Sequence, residues 1–366
     1  MISSSSRTLW IGTYPAGSTP GTGEGVWRVE VDPGTGAFGT PTLAAEVAAP
    51  SFLALHPHAP ALYAVSETAP GRLTALHVSD DGGATPLGAL ASGGDDPCHV
   101  AATPRTVWVA NYGDGAAAAV AVADDGTPAE DHRAVHLGEG TGPVTDRQEG
   151  PHAHQVTVVG DHVLVTDLGA DLVRRYPVDA GPGDAGPSRS PAADDPSVDD
   201  DVAARLPAGT GPRHLVVLPS GALVVVGELD AQLHVLVPSG AGWEHAGAVP
   251  VRPGAVAGED FGGHVTVSGD GTRLHVGVRG PDVLAVHEVA DGAAPTITHL
   301  ADTSLGDGGW PRHHEVLDAD GAELVVVALQ GSSELAAVRL DVGSGAGEVV
   351  SRVPWATPPA CVVVGR

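Results

Sequence analysis

A short unit recurs along this chain, and its seventh copy is divided between the two chain ends. The clearest copy runs from Pro212-Arg213-His214, through a Pro219-Ser220-Gly221 turn, to Gly227-Glu228; it reads as strand, tight turn, strand, polar residue. The same unit occurs from Ser51 to Glu67, from Cys98 to Asn111 and from His152 to Asp167. It recurs from His264 to Arg279, turning at Asp270-Gly271, and from Arg312 to Gln330, turning at Asp320-Gly321. Pro359-Ala360-Cys361-Val362 resembles the first strand of a unit, like Pro97-Cys98-His99-Val100, and its missing second strand is Leu9-Trp10-Ile11-Gly12-Thr13. The polar residues closing the second strands are Thr13, Glu67, Asn111, Asp167, Glu228, Arg279 and Gln330, spaced 44 to 61 residues apart. Spacings of that size suit a four-stranded blade with its loops. Pairing the two end segments removes a long exposed sheet edge. The expected fold is all-β: a seven-bladed β-propeller over residues 1–366 as one domain, its ring closed by N- and C-terminal strands in one blade.

Composition narrows the function. No stretch approaches the roughly 18 apolar residues of a membrane span, and Met1 to Arg7 has no apolar leader core. With only two cysteines, this favours a cytoplasmic location. A net charge of −27 argues against nucleic acid or anionic membrane as partner. The chain has no lysine, which excludes a lysine Schiff base and leaves arginine as the residue for any anion site. The stretch from Asp179 to Gly209, rich in Pro, Ala, Ser and Asp and including Asp199-Asp200-Asp201, reads as a mobile surface loop rather than an acidic metal site.

In a β-hairpin, the start of the first strand and the end of the second share one rim. Arg213 is thereby placed with Glu228, His154 with Asp167, His264 with Arg279, and Arg312 with Gln330. If the first strand of each unit is innermost, these pairs converge on one mouth of the central channel, the usual location for binding or catalysis. Taken singly, His99, His214, His264 and His313 are each expected to have a structural role, bonding a loop carbonyl. Arg213 and Arg279 are also placed to neutralise Glu228 and Asp167.

The runs Gly12-Thr13-Tyr14, Ala110-Asn111-Tyr112-Gly113, Arg147-Gln148-Glu149-Gly150-Pro151-His152-Ala153-His154, Gly211-Pro212-Arg213-His214 and Pro311-Arg312 carry a further signal. Their order over the whole chain resembles the propeller lactonase family, which includes bacterial 6-phosphogluconolactonases and fungal 3-carboxy-cis,cis-muconate lactonising enzymes. The resemblance implies a catalytic set of His154, Arg213, Glu228 and Arg279, with no metal and no cofactor. His152 competes with His154 for the histidine role, and His152, Asp167, Arg312 and Gln330 are candidate substrate-binding residues. The sequence departs from the family pattern at Gly227, where an Asn usually precedes the Glu, at Ala328-Leu329-Gln330 in place of Ala-Asn-Gln, and in the doubled His313-His314.

The expected activity is hydrolysis of a sugar lactone, foremost 6-phosphogluconolactone to 6-phosphogluconate, in carbohydrate metabolism. The expected partner is a small anionic sugar lactone or lactone acid, taken by a monomer. In this scheme neutral His154 is the general base. Arg213 and Arg279 stabilise the oxyanion or hold an anionic group. Glu228 orients an arginine, bonds hydroxyls or acts as an acid. Three rival readings stand beside it. A muconate-type cycloisomerase would use the same four residues. A metal-dependent gluconolactonase would use Glu67, Asn111 and Asp167 as oxygen ligands, which the charge of Arg279 opposes. A non-catalytic propeller would bind a ligand or a protein.

Overall fold

Each recurring unit folds as the inner half of a four-stranded antiparallel sheet. The computed structural model describes residues 6–15, 24–79, 81–179, 201–240, 242–319 and 322–366. These form seven four-stranded sheets. Blade 1 is composite: Pro359–Val364 pairs with Arg7–Thr13, followed outward by Val26–Val31 and Thr42–Ala45. Blades 2 to 7 begin with Pro50–Leu55, Pro97–Ala102, Ala153–Val159, Pro212–Val217, Phe261–Val267 and Pro311–Ala319, and each then steps outward in sequence order. These first strands touch one another all the way round the ring, so they are the innermost. The chain is a seven-bladed β-propeller closed by its two end strands. No helix of the described residues is long and apolar enough to cross a membrane.

Blades adhere through their faces. Seven apolar clusters fill the seven interfaces between neighbours. In blades 5 and 6, for example, Val224, Val226 and Leu233 pack against Val265, Val276 and Val278. At the closure, Leu9, Ile11 and Val362 pack on Leu324, Val326 and Leu335 of blade 7, while Trp10 and Cys361 pack on Leu53 and Leu62 of blade 2. Strands buried on both faces need a near-continuous run of Val, Leu and Ala rather than strict alternation. The second strands have it: Ala61–Ser66 is buried throughout.

The expected loop from Asp179 to Gly209 requires a correction. Residues 180–200, with Asp199 and Asp200, lie outside the described residues, as does the Asp320-Gly321 turn. Val202–Arg205, however, is the outermost strand of blade 4. Asp201 is tied to that blade by Arg174, whose Nη1 donates to it at 2.9 Å. The acidic run therefore ends as part of a sheet.

The inner strands share a feature that the repeat did not disclose. Each carries a β-bulge at its start. Pro212 pairs with Gly227 and His214 with Val226, so Arg213 is the extra residue. By the same registers Ser51, Cys98, His154, Arg312 and Ala360 are extra in their strands. In blade 6, Gly263 and His264 together oppose Gly277. A bulge bends the strand and re-aims a side chain, and here it does so at one level of the ring.

One residue further along, Phe52, His99, His214, His264 and His313 form an aromatic layer in the channel. Phe52 lies on His99 with centroids 4.0 Å apart, and His264 stacks on His313 at 3.9 Å. His214 meets His264 edge-on at 4.8 Å. These rings do not bond loop carbonyls as expected: His214 and His264 meet through their Nδ1 atoms at 2.5 Å, and His99 and His313 serve the next inner strand. The N–H of Val156 donates to His99 Nδ1 at 3.4 Å, that of Val362 to His313 Nδ1 at 3.3 Å, and that of Leu215 to Gln155 Oε1 at 2.6 Å. The channel-side edge of the inner strands thus finds acceptors in side chains of the preceding blade.

Deleting residues 359–366 should unfold or open the whole ring, because Ala360, Cys361 and Val362 are buried between two blades and pair with the first strand. The expected result is insoluble protein or a melting temperature lower by about 10 °C or more; an unchanged melting curve would show that closure contributes nothing.

Candidate active site

The bulged residues and the polar ends of the second strands meet in a cavity of about 460 Å³ at one mouth of the channel. His154, Arg213, Glu228 and Arg279 all line it, and each is nearly fully buried. The Arg213 Nη1 group donates to Glu228 Oε2 at 2.5 Å and to His154 Nε2 at 2.7 Å. Arg279 Nη2 lies 2.9 Å from the same Glu228 oxygen and donates to the Gly262 carbonyl at 3.0 Å. Blade 6 has no side chain beyond hydrogen at its bulge residue Gly263, and Arg279 reaches into that space from the adjacent strand.

An arginine cannot accept a hydrogen bond, so the contact with Arg213 fixes the lone pair of His154 on Nε2 and its proton on Nδ1. Burial, and then the charge of Arg213, hold His154 well below the ordinary histidine range, so it is neutral. Glu228 is the reverse. Burial pushes its carboxyl up, but the charges of Arg279, Arg213 and Arg147 outweigh that and hold it well below the usual carboxylate range. It is ionised and carries no proton to give. Burial, only partly offset by Glu228, brings Arg279 down to about 10.

Of the candidate substrate-binding residues, only Arg312 lines the cavity. His152 lies outside it: its ring stacks on Tyr112 at 4.4 Å and its Nδ1 meets the Tyr112 carbonyl at 2.7 Å. It positions a wall residue. Asp167 is turned into its own blade, accepting from Arg174 Nε and from the His152 N–H, both at 2.9 Å. Gln330 is half-buried and outside the cavity lining. The expectation that these polar residues share one position needs correction. Thr13, Asn111 and Asp167 pair with the residue before the bulge, as Gly227 does with Pro212, and tie down local backbone, whereas Glu67, Glu228 and Arg279 stand one residue further along and face the cavity. Asn111 accepts from Ser92 Oγ at 2.6 Å and donates to the Ala116 carbonyl at 3.0 Å. Asn111 and Asp167 are thus committed elsewhere, and the oxygen set with Glu67 is not assembled.

Sequence reasoning missed Arg147. It lies between blades 3 and 4, and its Nη2 donates to Glu228 Oε1 at 2.6 Å and to the Tyr112 hydroxyl at 3.4 Å. It is a third of the way exposed, at the mouth. Its neighbour Gln148 is buried and holds the loop: Nε2 donates to the Leu168 carbonyl at 2.9 Å and to Asp171 at 2.8 Å. The Arg-Gln pair is thus a charged group and its anchor. Tyr112, Phe261 and Trp310 supply aromatic walls, and Cys98 lies beside them. Trp310 has φ of 51°, the left-handed region that bulky residues seldom occupy. Its signal in the sequence is position, since it directly precedes the proline that opens an inner strand.

The departures from the family pattern have local causes. A Cβ at Gly227 would meet Asp230 Oδ1 at 2.1 Å, so a side chain there would require the Asp230 carboxylate to move. Leu329 is fully buried in the cluster between blades 6 and 7.

The fold and this site define a propeller that gathers arginine, histidine and glutamate around one small cavity. The family model described as "Lactonase, 7-bladed beta-propeller" matches residues 8–364, and the chain belongs to that family. It is 26% identical over 313 residues to the 6-phosphogluconolactonase of Bacillus subtilis, covering 83% of each chain. Among solved structures it is similar to the periplasmic gluconolactonase of Pseudomonas aeruginosa, with a TM-score of 0.83, 25% identity, and 98% of this chain and 99% of that one covered. A Bacteroides fragilis structure shares the fold with a TM-score of 0.85 at 21% identity, over 99% of both chains.

The channel histidines give the protein a pH dependence. Burial first, then neighbouring rings and Arg213, lower His99 and His313 to about 3 and hold His214 and His264 well below the ordinary range. The unfolded chain takes up these protons near pH 6.5, where the fold does not. Stability is thus full above about pH 6.5 and is lost as pH falls toward about 3. Melting temperature should be level from about pH 7 to 9 and fall steeply below about pH 6; a level profile down to about pH 4 would contradict neutral, buried rings.

Proposed function

We propose that this chain hydrolyses a sugar lactone, with a phosphorylated lactone of the 6-phosphogluconolactone kind as its substrate. The observation that carries the reading is Arg213 Nη1, shared between His154 Nε2 at 2.7 Å and Glu228 Oε2 at 2.5 Å at the wall of the cavity. In the resting arrangement Arg213 covers the histidine lone pair. When its guanidinium turns to the carbonyl oxygen of a bound lactone, Nε2 is released to accept a proton from water. The water oxygen then bonds to the carbonyl carbon, and Arg213 and Arg279 stabilise the oxyanion. Collapse breaks the ring C–O bond, and the leaving alkoxide takes the proton back from His154. The product is the open hydroxy acid, which ionises to solvent. Glu228 holds the two arginines in place and balances their charge; the proton for the ring oxygen comes from His154.

The chemistry needs no metal or cofactor, since the arginines supply the electrostatic stabilisation. Two free buried thiols and a charged sugar substrate support a cytoplasmic location. The B. subtilis relative supports 6-phosphogluconolactone itself.

The test is turnover of 6-phosphogluconolactone, generated in the assay, alongside a muconolactone. We expect hydrolysis of the first, unaffected by EDTA; turnover of the second alone would favour the cycloisomerase, and turnover of neither would favour a binding protein. Arg213→Ala should lower kcat by roughly a hundred- to thousandfold. It should leave the melting temperature nearly unchanged, because Arg147 and Arg279 still compensate Glu228. Arg213→Lys should recover little, since an ammonium lacks the planar fork. Full activity in Arg213→Ala would overturn the assignment.

A further inference from the structure

Arg312 has no part in the chemistry just described, yet it lines the same cavity. It is the bulged residue of blade 7, whereas His154, Arg213, Glu228 and Arg279 come from blades 4, 5 and 6. The partners of Arg312 come from the blades on its other side. Its guanidinium lies over the ring of Tyr14, which follows the second strand of blade 1, at 4.8 Å. Its carboxylate partner is Glu67, which follows the second strand of blade 2, at 3.6 Å. That is longer than a hydrogen bond. Tyr14 in turn donates its hydroxyl to Glu67 Oε2 at 2.7 Å. Whereas Glu228 is held by three arginines at 2.5 to 2.9 Å, Arg312 is oriented by an aromatic face and a loosely held carboxylate. Its forked donors are therefore left for another acceptor. The cavity walls carry four guanidinium groups against two carboxylates, so this excess positive charge is complementary to an anion.

We infer that the Arg312–Tyr14–Glu67 cluster, drawn from blades 7, 1 and 2, is a second recognition point in the same cavity for an oxyanion group borne by the lactone away from its carbonyl. The inference rests on the lactonase reading and adds to it the feature that selects charged over neutral lactones. A phosphate and a carboxylate share the chemistry that a guanidinium fork recognises.

The experiment compares kcat/KM for 6-phosphogluconolactone, neutral gluconolactone and glucarolactone in the full-length protein. Arg312→Gln should lower the ratio of phosphorylated to neutral turnover by roughly ten- to a hundredfold, with the loss in KM rather than kcat. Arg312→Lys, keeping the charge without the fork, should fall between. Glu67→Gln keeps an oxygen for Tyr14 while removing a charge that opposes the anion, and should raise the ratio; it carries the test if Arg312→Gln does not fold. A parallel effect on glucarolactone makes the recognised group any oxyanion, and an effect confined to the phosphorylated lactone makes it phosphate. Equal losses on charged and neutral lactones, or a loss in kcat alone, would overturn the role of Arg312 while leaving the hydrolase reading intact. Failure of the unaltered protein to turn over any of the three would overturn both.

Discussion

A ring of twisted sheets must close, and here closure rests on one antiparallel pairing, Pro359–Val364 against Arg7–Thr13. Every other blade is made from consecutive chain, so its strands find partners locally. Blade 1 alone depends on segments from opposite ends of the sequence. Its pairing does more than satisfy backbone groups. It brings Cys361 and Trp10 against blade 2 and Leu9 and Ile11 against blade 7, so the two apolar interfaces beside the seam exist only if the seam does. The cavity depends on the same event. Tyr14, which follows the closing pair, reaches Glu67 of blade 2, and Glu67 lies beside Arg312 of blade 7. A cluster assembled from blades 7, 1 and 2 cannot form in an open ring.

Closure determines where the inner strands stand; the bulges determine what they present. A regular strand would alternate its side chains between the two neighbouring blades. The extra residue at the start of each inner strand breaks that alternation at one level, and six of the seven blades then hold a single residue to be filled by function or by packing. Blades 4, 5 and 7 use His154, Arg213 and Arg312; blades 1 and 2 use Ala360 and Ser51; blade 3 uses Cys98. Below this level the channel is closed by stacked and edge-on rings. The site therefore has a floor as well as walls, and above it His154, Arg213, Glu228 and Arg279 are nearly fully buried. This is the setting in which a guanidinium beside a neutral imidazole carries weight.

Much of this was legible in the sequence for physical reasons. A closed ring needs equivalent blades, and equivalence appears as a repeat; the split copy at the two ends follows from closing it. Arg213 and Glu228 were placed together by hairpin geometry alone, since Pro212 faces Gly227 across the two strands. What hairpin geometry does not determine is the direction of a side chain at the rim. Asp167 pairs with Ala153 as Gly227 pairs with Pro212, so it stands one residue before the counterpart of Glu228; it turns into its blade, held by Arg174 and two backbone amides, while Glu228 faces the cavity. The difference is a one-residue offset in register, which a repeat aligned on its polar residues does not disclose, and Arg174 on the third strand of the blade then holds Asp167. Arg147 was hidden for a related reason. It belongs to a loop between blades, where no repeat predicts a position, and only the buried anchor Gln148 aims it. The stretch after Asp179 misled through composition: the acidic run ends in a residue, Asp201, that pairs with Arg174.

The charge of the whole and the charge of the cavity have opposite signs, and the two need not conflict. The chain carries −27, while four guanidinium groups meet two carboxylates at the mouth. At cellular ionic strength a surface charge is felt over about 8 Å, so the acidic exterior acts at short range on an approaching anion. Inside the cavity screening is weaker, because burial replaces mobile ions with fixed groups. The arginines could not all stay charged there without compensation. Glu228 provides it for three of them, and its own carboxylate is stable only because they surround it. Removing the glutamate would leave three cations in mutual repulsion; removing one arginine leaves the carboxylate with two. The cluster therefore tolerates the loss of a cation better than the loss of its anion, which is the condition under which one arginine can turn away to meet a substrate while the others hold the site together.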